Sequence, residues 1–397
     1  MRAWRFYKYL PEFGYETHVI TASRPDTLHP GVTWVQTPAK NLAERIFRKL
    51  FFPNDEDVLW ILPALVAARR YLAANPMDAI LSTIPPIHSH SIGYRLKQEF
   101  ALPWVADYRD PVVGNPLRTY RGLAHWLDGW MERRYSKAAD LMVTVTDILQ
   151  EEWIRRYPEA RAKTATIWNG YDPEEHIAPR PIPARSYRVI AHFGNLYGGR
   201  SPDVPLASAL RLIRRGVVDP ASLRFRLVGA IDSAIQARHR ELFEQLTSMG
   251  CLELAKPMPR LLALDAMMES DSLMLADNNQ AAIGHTVPAK LFEYIRVRRP
   301  ILALTEDGSP VERILTMSGI PFVTLSATMT ESLIDRRLLD FLNLSTQPST
   351  LSERFLIDFN GRSQARTLAG LLDRMLDTHP HDLDATVEEP SMETVEV

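Results

Sequence analysis

The sequence has little of several features that mark particular classes of protein. Among its 397 residues there is one cysteine, Cys251, which excludes an intrachain disulfide and a cysteine-based zinc site and fits a reducing compartment. No apolar run approaches membrane-spanning length, and the strongest, residues 58–68, is broken by Pro63. The N-terminus lacks the apolar core of a signal peptide. These absences together predict a cytoplasmic protein.

An excess of either charge is also absent. The chain has 46 basic and 48 acidic residues and a formal net charge of -2, so no global field favours nucleic acid or an anionic membrane. Contact with a membrane must then be local, and we expect no nucleic-acid partner. The hydrophobic content of 46% is enough for two domains, each with its own core.

A regular alternation of short β-rich runs with amphipathic stretches is present and is typical of α/β units. In the first half, the predicted strands are residues 18–21, 32–35, 79–83, 104–107 and 141–146. After an interruption, the predicted strands are residues 189–193, 224–228, 251–254, 272–275, 301–304 and 322–325. The sequence therefore predicts two doubly wound domains in tandem, with a cleft between them.

The interruption marks the predicted boundary between the domains. Residues 169–187 contain Asn-Gly-Tyr-Asp-Pro and then three further prolines, which continue neither a helix nor a central strand. We predict a first domain over residues 1–168, this linker, and a second domain over residues 188–378. Residues 379–397 are acidic and contain no lysine or arginine, a composition that predicts a disordered tail.

One segment of the second domain, Val-Pro-Ala-Lys-Leu-Phe-Glu-Tyr at residues 287–294, suits a nucleotide. Pro288 predicts the start of a helix, because its missing N–H is one that the first turn does not use. Lys290 and Glu293 then share one face of the first turns. Unpaired N–H groups beside a lysine suit a phosphate, and a glutamate can accept hydrogen bonds from a ribose diol. The alternative is a surface Lys–Glu pair on a connecting helix.

The order and spacing of several motifs resemble glycosyltransferase family 4. They are the nucleotide segment followed by Arg-Pro-Ile-Leu at residues 299–302, the Gly-rich residues 194–202, Asn-Gly-Tyr-Asp at 169–172, Ser-Thr-Ile-Pro-Pro at 82–86, and residues 104–111. The resemblance spans nearly the whole chain. It implies the GT-B fold, in which two Rossmann-like domains hold the nucleotide-sugar donor mainly in the second and the acceptor in the first. It also implies sugar transfer with retention of configuration and without a metal or other cofactor.

The resemblance assigns donor-binding residues in the second domain. Gly194 and Arg200 belong to the Gly-rich loop, and Arg200 and Lys290 place positive charge where the departing diphosphate develops negative charge. The alternative for Arg200 is a surface arginine in a mobile loop. Glu293 matches the second of two glutamates that typify the family, whereas the position of the first is occupied by His285. Recognition of a sugar hydroxyl by a carboxylate is therefore altered in this chain.

The first domain contains the acceptor-side candidates. His88 and His90 follow a predicted strand and a Pro-Pro breaker, at the edge where open α/β sheets bind ligands. One of the two histidines is expected to orient a sugar or acceptor hydroxyl, unless both are polar residues of a helix start. Asp107, Arg109 and Asp110 end the next strand, and Asp107 is the preferred acceptor-side group. Its alternative role is an Asp–Arg pair that fixes the loop.

A basic and aromatic stretch at residues 40–52 has the spacing of an amphipathic helix. Such a helix can lie on a membrane that presents a lipid-linked acceptor, which would make the protein peripheral at the inner face of the membrane. A helix that packs its apolar stripe on the core is the favoured interpretation.

The beginning of the chain departs from the family pattern. The family begins with a strand and a Gly-rich loop, whereas Ala3, Trp4, Tyr7 and Leu10 have helical spacing. The first strand of the N-terminal domain is therefore predicted to be missing, which leaves a gap in the hydrogen-bond ladder. Either the sequence is truncated at its start, the favoured view, or this copy is impaired.

The leading hypothesis is a retaining glycosyltransferase that uses a nucleoside-diphosphate sugar. Its expected acceptor is a cell-surface polysaccharide, as in bacterial polysaccharide biosynthesis, or a lipid-linked glycan. The alternatives are a nucleotide-sugar epimerase of the same fold and a catalytically dead homologue that binds a nucleotide-sugar as a scaffold. The base, the sugar and the acceptor depend on pocket shape and stay open.

Overall fold

The computed structural model describes residues 2–25, 27, 29–38, 58–115, 122–277 and 287–378. Three sequence-based predictions lie outside these residues: the role of His285, the amphipathic helix at residues 40–52 and the disordered tail at residues 379–397. No helix within the described ranges combines the length and apolar character needed to cross a bilayer.

The described residues form an alternating α/β structure, as the sequence predicts. The strands are β1 (Val19–Thr21), β2 (Val32–Trp34), β3 (Ile80–Ile84), β4 (Trp104–Tyr108), β5 (Leu141–Thr144), β6 (Thr164–Thr166), β7 (Arg188–Phe193), β8 (Leu223–Val228), β9 (Leu252–Ala255), β10 (Ser272–Ala276), β11 (Ile301–Leu304) and β12 (Phe322–Leu325). The helices are α1 (Arg2–Tyr9), α2 (Ile61–Ala74), α3 (His88–Phe100), α4 (Leu123–Ala138), α5 (Asp147–Arg156), α6 (Asp203–Arg214), α7 (Ser233–Arg238), α8 (Arg240–Ser248), α9 (Arg260–Met268), α10 (Lys290–Val297), α11 (Pro310–Ser318), α12 (Glu331–Leu342), α13 (Glu353–Asp358) and α14 (Gly361–Asp377).

The first unit contains two separate parallel sheets. Strands β3, β4, β5 and β6 lie side by side in that order. Strands β1 and β2 pair only with each other among the described residues, in register Val19 to Val32. The predicted gap in the ladder is therefore present between these sheets. The short strand β6 is a feature that sequence reasoning missed.

The second unit is built on one six-stranded parallel sheet in the order β12-β11-β10-β7-β8-β9. Every residue of β10 and β11 is buried, because helices cover both faces of these central strands. Ser309 caps α11 by accepting a hydrogen bond from the Glu312 N–H at 3.2 Å. All six predicted strands of this half are found.

The last described helix, α14, returns to the first unit. Its apolar face packs with α1 and with strands β4 and β5 around Phe6, Tyr9 and Leu368. A Cβ at Gly361 would lie 2.9 Å from the ring of Tyr9, so this close approach requires glycine. The Arg5 Nε donates to Gln364 at 3.1 Å. The second half of the chain is thereby attached to the first unit.

A buried ion pair holds α1 on the first sheet and on the segment that leads to the second unit. The Arg2 guanidinium contacts both oxygens of Asp107 at 3.0–3.1 Å, and both side chains are 1% exposed. Arg2 also donates to the carbonyl oxygens of Ile167 at 2.8 Å and Trp168 at 3.2 Å. Thr83 donates a further hydrogen bond to Asp107 at 2.8 Å. All three guanidinium nitrogens of Arg2 and both carboxylate oxygens of Asp107 are therefore hydrogen-bonded.

Removing one partner of this pair should destabilise the protein strongly. In Asp107→Ala the Arg2 guanidinium is left buried without its counterion, which typically costs about 3–5 kcal/mol of unfolding free energy. Urea unfolding followed by circular dichroism measures the change. Glu99→Ala is the matched control, because it removes the exposed Arg69–Glu99 pair and should change stability little. Equal effects of the two substitutions would contradict the assigned role of the buried pair.

Candidate functional site

The carboxyl ends of the two sheets face each other. Asp147 begins α5 just after β5, and Arg313 lies in the first turn of α11 after β11. Their side chains form a bidentate ion pair between the units, with N–O distances of 2.6 and 2.7 Å. Because this pair joins elements that follow strand ends in both units, the loops after the strands line a shared cleft.

The loop after β7 and the start of α10 meet in this cleft. Gly194 directly follows β7 and has a φ of +115°, a conformation that favours glycine. A Cβ at Gly194 would lie 2.6 Å from the Lys290 Nζ. The absence of a side chain therefore allows the lysine to reach the loop. The helix begins at Lys290, two residues after the predicted Pro288 start.

The Lys290 ammonium lies in a confined and positively charged environment. Burial, and then the nearby Arg200 guanidinium, lower the pKa of Lys290 to about 8. Neither cation forms an ion pair with a carboxylate within the described ranges. Two cations without a direct counterion at a helix N-terminus form a site for an anionic group.

His192 is a member of this site that sequence reasoning missed. Its side chain is fully buried, and its Nδ1 lies 2.9 Å from the Met274 carbonyl oxygen, so Nδ1 carries the proton. Burial, and then the charge of Lys290, lower the pKa of His192 to about 3. The neutral ring therefore presents the Nε2 lone pair to the Lys290 Nζ at 3.4 Å. In the sequence His192 looks like an ordinary residue of strand β7. Only its position, two residues before Gly194, could have indicated that it belongs to the site.

Arg200 lies in the Gly-rich loop that follows β7. Its Nη1 donates to the Tyr197 hydroxyl at 2.7 Å, and its guanidinium lies over the Tyr197 ring. Burial raises the pKa of Asp110, while the charges of Arg109 and Arg200 act in the opposite direction. Arg200 is therefore close enough to Asp110 to interact electrostatically across the cleft. The sequence placed Asp110 at this edge but favoured Asp107 over it.

Glu293 lies at the edge of the site and is bonded through one oxygen. The Arg260 Nε and Nη2 donate to Glu293 Oε1 at 3.2 and 2.7 Å. Arg260 also pairs with Glu175, from the linker. Glu293 Oε2 accepts no hydrogen bond from a described residue, so this oxygen can accept a bond from a ligand.

The two candidate histidines lie at the start of α3, as predicted, but both are buried. His90 is fully buried, its Nδ1 lies 2.7 Å from the Ser82 hydroxyl, and its ring contacts Tyr108 and Trp104. Burial lowers its pKa to about 3. His90 therefore lies in the core of the first unit. His88, 1% exposed, is similarly placed below the surface.

The charged residues at the end of β4 and just after it are also placed differently from the sequence-based view. Asp107 is 1% exposed and is held by Arg2, so it belongs to the buried pair and not to the cleft surface. The predicted alternative is an Asp–Arg pair. Asp107 does form such a pair, but its partner is Arg2 from α1. Arg109 instead donates to the carbonyl oxygens of Ile84 at 2.9 Å and Pro85 at 3.1 Å. Arg109 thus fixes the loop after β3.

Comparisons with known proteins support the fold and find a family match for the first part of the chain. Residues 1–175 match the family model of Glycosyltransferase Family 4. No curated protein matches the sequence. Similar solved structures are sucrose-phosphate synthase from Thermosynechococcus elongatus (TM-score 0.62, 14% identity, covering 89% of this chain and 86% of that chain) and a glycosyltransferase from Rickettsia africae ESF-5 (0.61, 12%, 94% and 93%). A third is Anabaena HepE in complex with UDP-glucose (0.53, 12%, 88% and 85%). At these identities the likeness shows the fold, and the predicted GT-B architecture is confirmed.

The affinity for a nucleoside diphosphate should fall as pH rises through the Lys290 pKa of about 8. The ammonium form attracts the diphosphate, and it is the form present below this pKa and lost above it. Calorimetric titration with UDP and GDP over a pH series measures the effect. Lys290→Met should bind weakly with little pH dependence, whereas Lys137→Met, on an exposed helix face, should keep the wild-type profile. A wild-type profile that is flat through this range would contradict the assignment.

Proposed function

We propose that this protein is a glycosyltransferase that retains the anomeric configuration of the transferred sugar. The family 4 match over residues 1–175 and the GT-B fold support a glycosyltransferase. The proposed donor is a nucleoside-diphosphate sugar, and the proposed acceptor is a cell-surface polysaccharide or a lipid-linked glycan. The observation that supports a nucleoside-diphosphate donor is the pair of cations, Lys290 and Arg200, at the Gly194 loop.

The chemistry of transfer explains why these cations are useful. Breaking the bond between the sugar and the diphosphate leaves negative charge on the departing oxygen, and fixed positive groups stabilise that charge. Below its pKa of about 8, Lys290 is charged and needs no reorganisation to act. Neutral His192 holds the ammonium in place without adding a competing negative charge. Lys290 and Arg200 are thus the proposed diphosphate-binding residues.

Asp110 is the proposed acceptor-side carboxyl group. It lies on the first unit within electrostatic reach of Arg200, whereas Asp107 is occupied by Arg2. Burial raises the pKa of Asp110, which makes its carboxylate a stronger base than that of an exposed aspartate. An acceptor hydroxyl between Asp110 and the donor would be activated as the diphosphate leaves.

Incubation of the purified protein with UDP-, GDP- and other nucleotide-sugars tests the proposed activity. UDP-glucose is a sensible first donor, because similarly folded HepE is solved with it. We expect slow donor hydrolysis that releases the nucleoside diphosphate and a sugar whose first-formed anomer, read by NMR, matches the donor. Conversion of the donor to another sugar isomer would favour the epimerase. Binding without turnover of any donor and acceptor would favour the catalytically dead homologue.

Replacing Glu293 with Ala should weaken nucleotide binding by about tenfold or more, because hydrogen bonds to a charged group contribute about 1.5–3 kcal/mol. Calorimetry with the nucleoside diphosphate and with the matching monophosphate measures the loss. Glu175→Ala is the control, since it removes the other carboxylate bound to Arg260. If both variants lose the same affinity, Glu293 acts only by holding Arg260, and its proposed contact with the ribose is wrong.

A further inference from the structure

The outward face of α4 carries large apolar side chains that remain exposed in the described part of the chain. Leu123, Trp126 and Trp130 are 54%, 60% and 47% exposed. Their spacing of three and four residues places them in one stripe along the helix. A contiguous apolar stripe with two exposed indoles marks an interaction surface, unlike a single exposed apolar residue.

The basic residues of α4 lie on its exposed face, and its acidic residues lie on its buried face. Arg133, Arg134 and Lys137 are exposed and continue the aromatic stripe towards the end of the helix. The two acidic residues of the helix, Asp128 and Glu132, are 3% and 0% exposed. The outward face of this helix therefore presents cations and aromatic rings without an acidic side chain.

The second indole is held in a defined orientation. The Arg134 guanidinium lies 5.1 Å from the centre of the Trp130 ring and 4.8 Å from that of Tyr94 on α3. Its Nη2 also donates to the Tyr94 hydroxyl at 2.8 Å. Trp130 therefore makes a cation–π contact with Arg134 while 47% of the residue stays exposed.

The apolar surface continues on the same side of the first unit. Helix α2 packs on α3, and α3 packs on α4. Leu62 and Val66 on α2 are 67% and 44% exposed, and Arg70 follows on the same face. Two helices with an exposed apolar stripe and adjacent cations thus flank α3.

We propose that this surface, formed by α4 with the exposed residues of α2, docks the first unit on an anionic lipid bilayer. Indoles prefer the boundary between headgroups and acyl chains, and nearby arginines and lysines are attracted to anionic headgroups. A second copy of the chain is the less suitable occupant, because pairing the two faces would bring like charges together. This surface differs from residues 40–52, and its use does not depend on the sugar donor or acceptor.

Sedimentation of the full chain with vesicles tests the docking surface. We expect binding to vesicles of phosphatidylcholine and phosphatidylglycerol in equal amounts and much weaker binding to phosphatidylcholine alone. Trp126→Ala/Trp130→Ala should reduce partitioning by at least about tenfold, because it removes both interfacial indoles. Arg133→Ser/Lys137→Ser should reduce it by about fivefold per charge, and only for the anionic vesicles.

The matched control is Leu261→Ala/Leu262→Ala, which removes two leucines that are 73% and 56% exposed on the second unit. This control should bind vesicles as the wild type does. Circular dichroism and retained binding of the nucleoside diphosphate confirm that each variant is folded. The proposal is overturned if the wild type stays in the supernatant, if the double tryptophan variant sediments equally, or if that variant converts a wild-type dimer into a monomer in light scattering.

Discussion

The buried contact between Arg2 and Asp107 is the constraint on which the arrangement of the two units depends. Arg2 bonds the end of β4 and, through the carbonyl oxygens of Ile167 and Trp168, the segment that leads to the second unit. Gln364 on α14 donates to the same Trp168 carbonyl at 2.8 Å. The junction is thus held from both units by charged or polar groups that are removed from water, where an unpaired partner is costly. A cleft whose walls come from different units needs such a fixed junction.

On the donor side of the cleft, the buried Lys290 ammonium stays free to bind an anionic ligand. An unpaired lysine loses charge on burial, because water no longer stabilises the ammonium. A carboxylate partner would restore the charge but would also compete with an anionic ligand. Among the described residues this site uses a neutral histidine instead, with a tautomer set by the Met274 carbonyl. Within that part of the chain Lys290 has an acceptor but forms no ion pair with a carboxylate. The nearby Arg200 adds positive charge and lowers the Lys290 pKa further. Binding of an anion would therefore stabilise the charged form of Lys290.

Sequence reasoning was accurate for the strands and less so for the side chains between them. Buried parallel strands are short apolar runs, and such runs are visible without knowledge of their partners. The Thr-Ala-Thr strand β6 has no such run and was missed. The partner of Asp107 lies 105 residues away, so local spacing favoured Arg109, which in fact bonds carbonyl groups. Similarly, the depth of His90 depends on Trp104, Tyr108 and Tyr135 packing around it, which no local motif encodes.

The topology relates the cleft to the aromatic surface of α4. In a parallel sheet each connecting helix begins at the carboxyl edge of the strands and runs back towards the other edge. The Leu123 end of α4 therefore lies on the cleft side of the first unit, and the Lys137 end lies away from it. The aromatic residues are concentrated in the half nearer the cleft, and the cations in the half further from it. A bilayer in contact with the indoles would consequently lie beside the acceptor-side wall, so a lipid-linked glycan could reach the cleft while its lipid stays in the membrane.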